Sequence, residues 1–334
     1  MATQSSKESV PTPLPGAAQG IDISSYNAEP NWTALKQDGV SFVGIKATEG
    51  DYYVNTATTT PAQQPGYATE VTDATAAGMY VMPYAFANPY QGDGTTAHPG
   101  NGSGNCQADY AWQQISSVTS PAYSSGGLML PVVLDIEQDP YTATEPNSNS
   151  CYGLTPPEMV AWITQFLLDM QSLSHEKPMI YTNTAFWSAC TGDSTVFSSY
   201  PLWLADYGIA APPALAGWGS PAMWQYTSGG TVAGETGLVD EDYLTPVSQG
   251  STAGQPVTPV QVSTLSTLAS PGQAVTWSAS GLSSGLQIDP ASGVISGIPL
   301  TAGSFQVTVT ATQSSGTTST VSFQWNVKES PITP

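Results

Sequence analysis

The segment Pro131-Val-Val-Leu-Asp-Ile-Glu137 is an apolar run that ends in two carboxylates. A short apolar run suits a strand buried on both faces. Side chains at i and i+2 of a strand share a face, so Asp135 and Glu137 emerge together, with Cα atoms roughly 6.6 Å apart. Two carboxylates so placed do not ionise independently. One negative charge raises the pKa of the other and leaves a protonated acid near neutral pH. Cleavage of a glycosidic bond needs such an acid to protonate the leaving oxygen. An isolated D-x-E is more often a solvated strand end, so the surroundings decide. Asp22 closes the run Gly20-Ile-Asp-Ile23, and Asp240 closes Leu238-Val-Asp240. Three acidic sites at three strand ends make a convergent cluster the stronger reading.

The elements that must hold these acids follow from periodicity. Buried-strand runs recur at Gly20–Ile23, Phe42–Ala47, Met79–Phe86, Leu130–Glu137, Met179–Tyr181, Leu202–Ala205, Met223–Tyr226 and Leu238–Asp240. Helical patterns separate the earlier runs. The clearest is Pro156–Ser174, where Met159, Trp162, Ile163, Phe166, Leu167 and Met170 recur at helical spacing behind Thr155 and a proline. Only Pro/Gly/Ala-rich connections join the last three runs. Eight strands with helices lost after the fifth repeat predict an α/β fold, a (β/α)5β3 barrel of the TIM type, over residues 20–246. Strands one and eight are neighbours in a closed barrel, with strand four across from them, so Asp22, Asp240, Asp135 and Glu137 are expected at one mouth. Aromatics at other strand ends, Tyr84, Tyr181, Trp203, Trp224 and Tyr226, are candidates to stack on sugar faces.

From Thr245 to Pro259 the chain turns to Pro, Gly, Ser and Thr, and residues 247–255 are expected to be linker. Beyond it the period is two: Phe305, Val307 and Val309, then Val321, Phe323, Trp325 and Val327. That predicts a small all-β sandwich over 256–329. Residues 1–19 are polar and proline-rich without an apolar core, and are expected to be disordered, with a secretory signal absent or removed.

Charge narrows the partners. Only 9% of residues are charged, against roughly 25% in an average domain, and all five basic residues are Lys, for a net charge of −20. Such a surface repels polyanions, which excludes nucleic acid and anionic membranes. No apolar run is long enough to span a bilayer. A surface of Ser, Thr, Ala and Gly with few bases suits an extracellular protein in an acidic setting. Cys106, Cys151 and Cys190 have no CxxC spacing, and the only histidines are His98 and His175, so no metal site is expected. One disulfide with a spare thiol fits a secreted protein; three buried thiols are the alternative. No GxSxG elbow, P-loop or dinucleotide fingerprint is present.

At these residues the sequence resembles glycoside hydrolase family 25, the Chalaropsis-type lysozymes, over roughly 20–246. The carriers are GIDISSYN at Gly20–Asn27, Trp32, FVGIKATEG at Phe42–Gly50, AGMYVMPYAF at Ala77–Phe86 and PVVLDIE at Pro131–Glu137. PMIYTN at Pro178–Asn183, LWLADY at Leu202–Tyr207, WQYTSGGTVAG at Trp224–Gly234 and VDEDYL from Val239 continue it in order. The resemblance implies hydrolysis of the β-1,4 bond between N-acetylmuramic acid and N-acetylglucosamine in bacterial peptidoglycan, without cofactor; composition and cysteines point to secretion, and a two-domain monomer is the default expectation. The resemblance also implies Glu137 as acid/base and Asp135 as the group that orients the substrate's N-acetyl. Asp22 and Asp240 complete the acidic floor, and Asp206, in the LWLADY segment, joins the expected substrate contacts. Relatives that share the CYGL and CTG segments imply a Cys151–Cys190 disulfide, leaving Cys106 free.

Three departures bear on the cleft. Many members read Tyr-His-Phe where this chain has Tyr84-Ala-Phe86, which suggests a lost polar contact. The closing V-D-L-N is Val239-Asp240-Glu241-Asp242 here, adding two carboxylates. The Asn88–Cys106 and Gln138–Cys151 loops are rich in small polar residues. The C-terminal segment is similar to Ig-like (cadherin-like) modules, carried by GLSSGLQIDPASGVISGIP at Gly281–Pro299; glycan binding and passive spacing are equal readings of it. Two other functions remain in view: hydrolysis of another N-acetylhexosamine polymer such as chitin, whose enzymes generally show a longer D-x-x-D-x-D-x-E run, and non-catalytic wall binding on an enzyme scaffold.

Overall fold

The computed structural model describes residues 18–51, 53–54, 66–89, 102–124, 129–143, 149–209, 212–218, 221–244, 249–257, 260–261, 275–314, 316 and 318–330. The expected disordered segment 1–19 falls outside these residues up to position 17; Ala18 and Gln19 belong to the first strand. The chain divides into two compact units, with residues from Leu244 onward in the second.

In the first unit the elements alternate. They are β1 (Ala18–Ile23), α1 (Trp32–Asp38), β2 (Val40–Glu49), a short β3 (Tyr53–Val54), α2 (Tyr67–Ala76), β4 (Tyr80–Phe86), α3 (Gly104–Ser124) and β5 (Val133–Asp135). They continue with α4 (Pro156–Ser174), β6 (Met179–Asn183), α5 (Thr184–Thr191), β7 (Leu202–Ala205), β8 (Met223–Gly230) and β9 (Val239–Leu244). The sheet order is β1-β9-β8-β7-β6-β5-β4-β2-β3, and β1 also pairs with β2, which closes eight strands into a barrel with β3 as an antiparallel spur. Five β/α repeats followed by three strands is the architecture expected from the runs.

Alternation along each strand sorts the barrel into two faces. Ile21, Ile23, Val43, Ile45, Val81, Leu134, Ile136, Ile180 and Leu204 point outward and join Leu35, Val71, Ile115, Phe166 and Trp187 of the helices in one core. Each such side chain contributes about 1.5–3 kcal/mol when fully buried. The inward face is so crowded that Gly20 and Gly44 have no room for a side chain. A Cβ at Gly20 would sit 2.1 Å from the Phe42 ring, and one at Gly44 would sit 2.8 Å from Asp22 and 3.0 Å from Trp203.

Local signals set the helix ends. Glu158 accepts a 2.8 Å hydrogen bond from the Thr155 amide, and Pro156 and Pro157 open α4 without a lost donor. Cys151 and Cys190 form a disulfide with Cα atoms 5.3 Å apart, tying the chain before α4 to α5, and Cys106 is a free thiol. Among the described residues no helix is long and apolar enough to cross a membrane.

The second unit holds β10 (Gln249–Thr252), β11 (Val260–Gln261), β12 (Val275–Ser280), β13 (Leu286–Ile288), β14 (Val294–Gly297), β15 (Gly303–Gln313) and β16 (Thr318–Lys328). Two sheets, β10-β16-β15-β12 and β11-β14-β13, enclose Trp277, Leu286, Ile295, Val307, Val309, Phe323 and Trp325. One expectation changes here. The segment 247–255 is not wholly linker, because Gln249–Thr252 pairs in parallel with Trp325–Lys328. Backbone hydrogen bonding needs no apolar side chains, so composition hid this strand.

Candidate active site

The inward side chains at one end of the barrel open into a cleft lined by Asp22, Ser24, Tyr26, Lys46, Tyr84, Phe86, Asp135, Glu137, Tyr181, Trp203, Gln225 and Asp240. Each of the eight barrel strands, or the residues just beyond its end, supplies at least one of them. Asp135 closes β5, and Glu137 follows two residues later. The Ile136 amide still bonds to the Tyr181 carbonyl at 3.0 Å, so the extended backbone persists and both carboxyls face the mouth. Asp240 differs from its expected position. It lies at the beginning of β9, which runs on to Leu244, so this strand enters the wall from the mouth instead of leaving through it. Asp242, two residues further and on the same face, is consequently deeper.

Of the residues singled out from sequence, Asp22, Asp135, Glu137, Asp240, Tyr84, Tyr181 and Trp203 come together in the cleft. Trp224, Tyr226 and Asp206 do not line it. In Met223-Trp-Gln-Tyr226 it is Gln225 that faces inward, and strand alternation sends both aromatics to the other face. There the Trp224 indole donates to the Asp206 carbonyl at 2.7 Å, and Tyr226 stacks on Tyr243 with centroids 4.3 Å apart. The same alternation corrects the reading of Tyr84-Ala-Phe86. Tyr84 and Phe86 line the cleft, while Ala85 belongs to the core beneath the helices, so the alanine removes no cleft contact.

Sequence reasoning passed over Lys46, Gln225, Ser24, Tyr26 and Tyr207. Two of them carried a signal. Lys46 is the one charge inside the apolar run Phe42–Ala47, and Gln225 is a polar residue between two buried aromatics. The Gln225 amide donates to Asp22 Oδ2 at 2.6 Å, and its carbonyl oxygen accepts from the Tyr181 hydroxyl at 2.7 Å and from that of Tyr207. Tyr84 donates to the Ile23 carbonyl at 3.1 Å. Tyr26 stands 92% exposed at the rim.

The charges are unbalanced. Burial, with Glu137 beside it, pushes the Asp135 carboxyl well above the usual range, and Lys46 opposes the shift. Burial raises Glu137 to about 7, again against Lys46 and with Asp240 adding to the rise. Asp240 is raised to about 6 by burial. Asp22 and Asp242 are also raised, chiefly by burial. Among the described residues, Lys46 is the one basic side chain lining the cleft. Its Nζ lies 2.6 Å from Glu49, which also accepts the Tyr141 hydroxyl, and 4.6 Å from the Phe86 ring centroid. Asp135 Oδ1 is buried with no hydrogen-bond donor among the described residues. A buried acceptor left open is costly unless something fills it.

A carboxyl that keeps its proton near neutrality, beside an open acceptor and aromatic walls at the mouth of a (β/α) barrel, has the parts for general acid catalysis on a saccharide. The class that this fold and cleft define is a glycoside hydrolase. Residues 21–235 match the family described as glycosyl hydrolases family 25, and the chain belongs to that family. It is 33% identical over 225 residues to the N,O-diacetylmuramidase of Chalaropsis sp, covering 66% of this chain and 93% of that protein. It is 32% identical over 225 residues to Lysozyme M1 of Streptomyces globisporus, covering 67% and 66% of the two chains. The crystal structure of the bacterial lysozyme from Streptomyces coelicolor superposes with a TM-score of 0.54 at 31% identity, over 67% of this chain and 90% of that one. Residues 239–328 match a second family, described as Putative Ig domain. The first residues of that match are β9, which completes the barrel, so the Ig match begins ahead of the second unit.

Proposed function

We propose that this chain is a secreted muramidase that hydrolyses the β-1,4 bond between N-acetylmuramic acid and N-acetylglucosamine in peptidoglycan, with Glu137 as its acid. The observation that carries the reading is the pair at the end of β5: a Glu137 carboxyl raised by burial to about 7, beside a buried Asp135 oxygen with no partner among the described residues. Glu137 gives its proton to the glycosidic oxygen as the C1–O bond breaks. The N–H of the 2-acetamido group donates to Asp135 Oδ1, which turns the acetamido oxygen toward C1 to form the new bond there. Water then opens that bond from C1, and Glu137 takes the water's proton back. The glycosidic bond is replaced by a bond from C1 to a water oxygen, Glu137 ends as it began, and one water is the only co-reactant consumed. Asp22 and Asp240 supply the remaining negative potential of the floor, and Tyr84, Phe86 and Tyr181 supply the walls. Relatives named as lysozyme and as N,O-diacetylmuramidase support the substrate. Secretion rests on the base-poor composition and on the disulfide, which persists in oxidising surroundings. The enzyme works as a monomer.

The test is digestion of purified peptidoglycan by the unmodified chain and by Glu137→Gln, with mass spectrometry of the reduced products. Muramic acid at the new reducing ends, lost in the variant, is the expected outcome. Glucosamine ends would overturn the choice of bond, and glycan binding without new ends would favour a non-catalytic protein.

A further inference from the structure

Behind the cleft floor, Asp242 is fully buried on β9. Its Oδ1 accepts a 2.8 Å hydrogen bond from the Trp203 indole, but its Oδ2 is buried and meets no donor among the described residues. The titratable side chain beside it is Asp22 on the neighbouring β1, close enough for the two carboxyls to share a hydrogen bond once one of them carries a proton. Two carboxylates cannot bond to each other without a proton between them. Which one carries it follows from their surroundings. Asp22 retains 8% exposure, lines the open cleft and accepts the Gln225 amide at 2.6 Å. Asp242 has no exposure at all. Negative charge is costlier in the more enclosed site, so the proton belongs on Asp242 and the charge on Asp22.

We propose that Asp242 is a protonated positioning residue, donating from Oδ2 to Asp22 and so holding Asp22 as an oriented carboxylate in the cleft. The proton satisfies every atom along one chain: Trp203 N–H to Asp242 Oδ1, Asp242 O–H to Asp22, Gln225 N–H to Asp22, and the Tyr181 and Tyr207 hydroxyls to Gln225. The other charges facing this pair come from Asp240 on β9 and Glu137 after β5; both are acidic and both favour a proton here. Lys46 on β2 acts on Asp135 and Glu137 instead. The closing motif of this chain, Val-Asp-Glu-Asp, thereby gains a purpose at its last position. The functional consequence rests on Asp22 lying in the working cleft, as proposed above.

Asp242→Leu and Asp242→Asn separate the donor from the space it fills. Asp242→Leu leaves Asp22 one donor short, which raises its pKa. At least a tenfold loss of kcat/KM is expected, with the acidic limb of the pH profile displaced upward by about one unit. Asp242→Asn can give an N–H to Asp22 and accept the Trp203 indole, and recovers most of the rate and the original limb. Equal losses in the two variants, or an unmoved limb in Asp242→Leu, would overturn the proposal. Infrared difference spectra of the unmodified protein against Asp242→Asn, taken near pH 8, give a readout that needs neither activity nor the leucine variant to fold. A protonated-carboxyl C=O band present in the first and absent from the second is expected; identical spectra refute it. If that band behaves as expected while peptidoglycan is untouched, the functional reading fails and the proton assignment stands.

Discussion

The Gln225 side-chain amide donates to Asp22 at 2.6 Å, joining residues 203 positions apart in the chain. It links β8 to β1 across β9, and its own oxygen is held by two tyrosines. Gln225 and the two tyrosines behind it do not titrate near neutral pH, so this hold on Asp22 is the same across that range.

That arrangement separates two adjacent residues by function. Gln225→Leu removes a hydrogen bond to a charged group, worth about 1.5–3 kcal/mol, and is expected to lower kcat/KM roughly 10- to 100-fold. Tyr226→Phe alters only the outward face, where the hydroxyl meets Glu241, and is expected to stay within about twofold. Steady-state kinetics on soluble peptidoglycan fragments check both. A rate loss in Tyr226→Phe matching that of Gln225→Leu would mean that the outer aromatic cluster reaches the substrate after all.

The pH dependence of the rate follows from the acid. Glu137 is raised to about 7 by burial, and the acid role proposed for it requires the protonated form, so kcat/KM is expected to fall roughly tenfold per unit once pH exceeds that value. Lys46 pulls this pKa down. Lys46→Met is therefore expected to move the alkaline limb to higher pH. A limb that stays put in the variant would sever the link between Lys46 and the acid.

Stability should run the same way. An unfolded Glu137 loses its proton near 4.5, and the folded one keeps it to about 7. Over that window the unfolded chain binds fewer protons, so stability declines as pH rises. Asp240, raised from 3.8 to about 6, and Glu235, raised to about 7 by burial, act in the same direction. Glu137 alone accounts for a change on the order of 3 kcal/mol. Thermal melts from pH 4 to 8 are expected to show a falling Tm, with a flatter curve in Glu137→Gln. A Tm that climbs across this range would contradict the burial assigned to these carboxyls.

The disulfide is a separate element. Cys151 and Cys190 close a loop with a sequence separation of 39, and their joint replacement by Ser should cost about 2–4 kcal/mol. Neither residue lines the cleft. Denaturant titration should therefore show the loss, while kcat/KM at a temperature where both forms are folded remains unchanged. A large kinetic effect would point to the disulfide shaping the cleft.

Much of this was readable from residues alone. A barrel of five β/α repeats and three bare strands is written in the apolar runs and in the spacing of Pro156–Ser174, because burial against two layers demands those patterns. The D-x-E at the end of β5 was legible for the same reason: period two puts Asp135 and Glu137 on one face whatever the rest of the fold does. Other assignments depended on phase. Whether Gln225 or its two aromatic neighbours faces inward, and whether Ala85 does, is set by how each strand registers with the next, and a one-residue change reverses it. The direction of β9 decided that Asp240 would open the strand and that Asp242 would lie beneath it. Gln249–Thr252 became a strand through backbone bonds that no side-chain pattern announces. The acids of the cleft were therefore set down in sequence, whereas their protons, partners and depth belong to the tertiary structure, since burial and distance between remote residues exist only once the barrel closes.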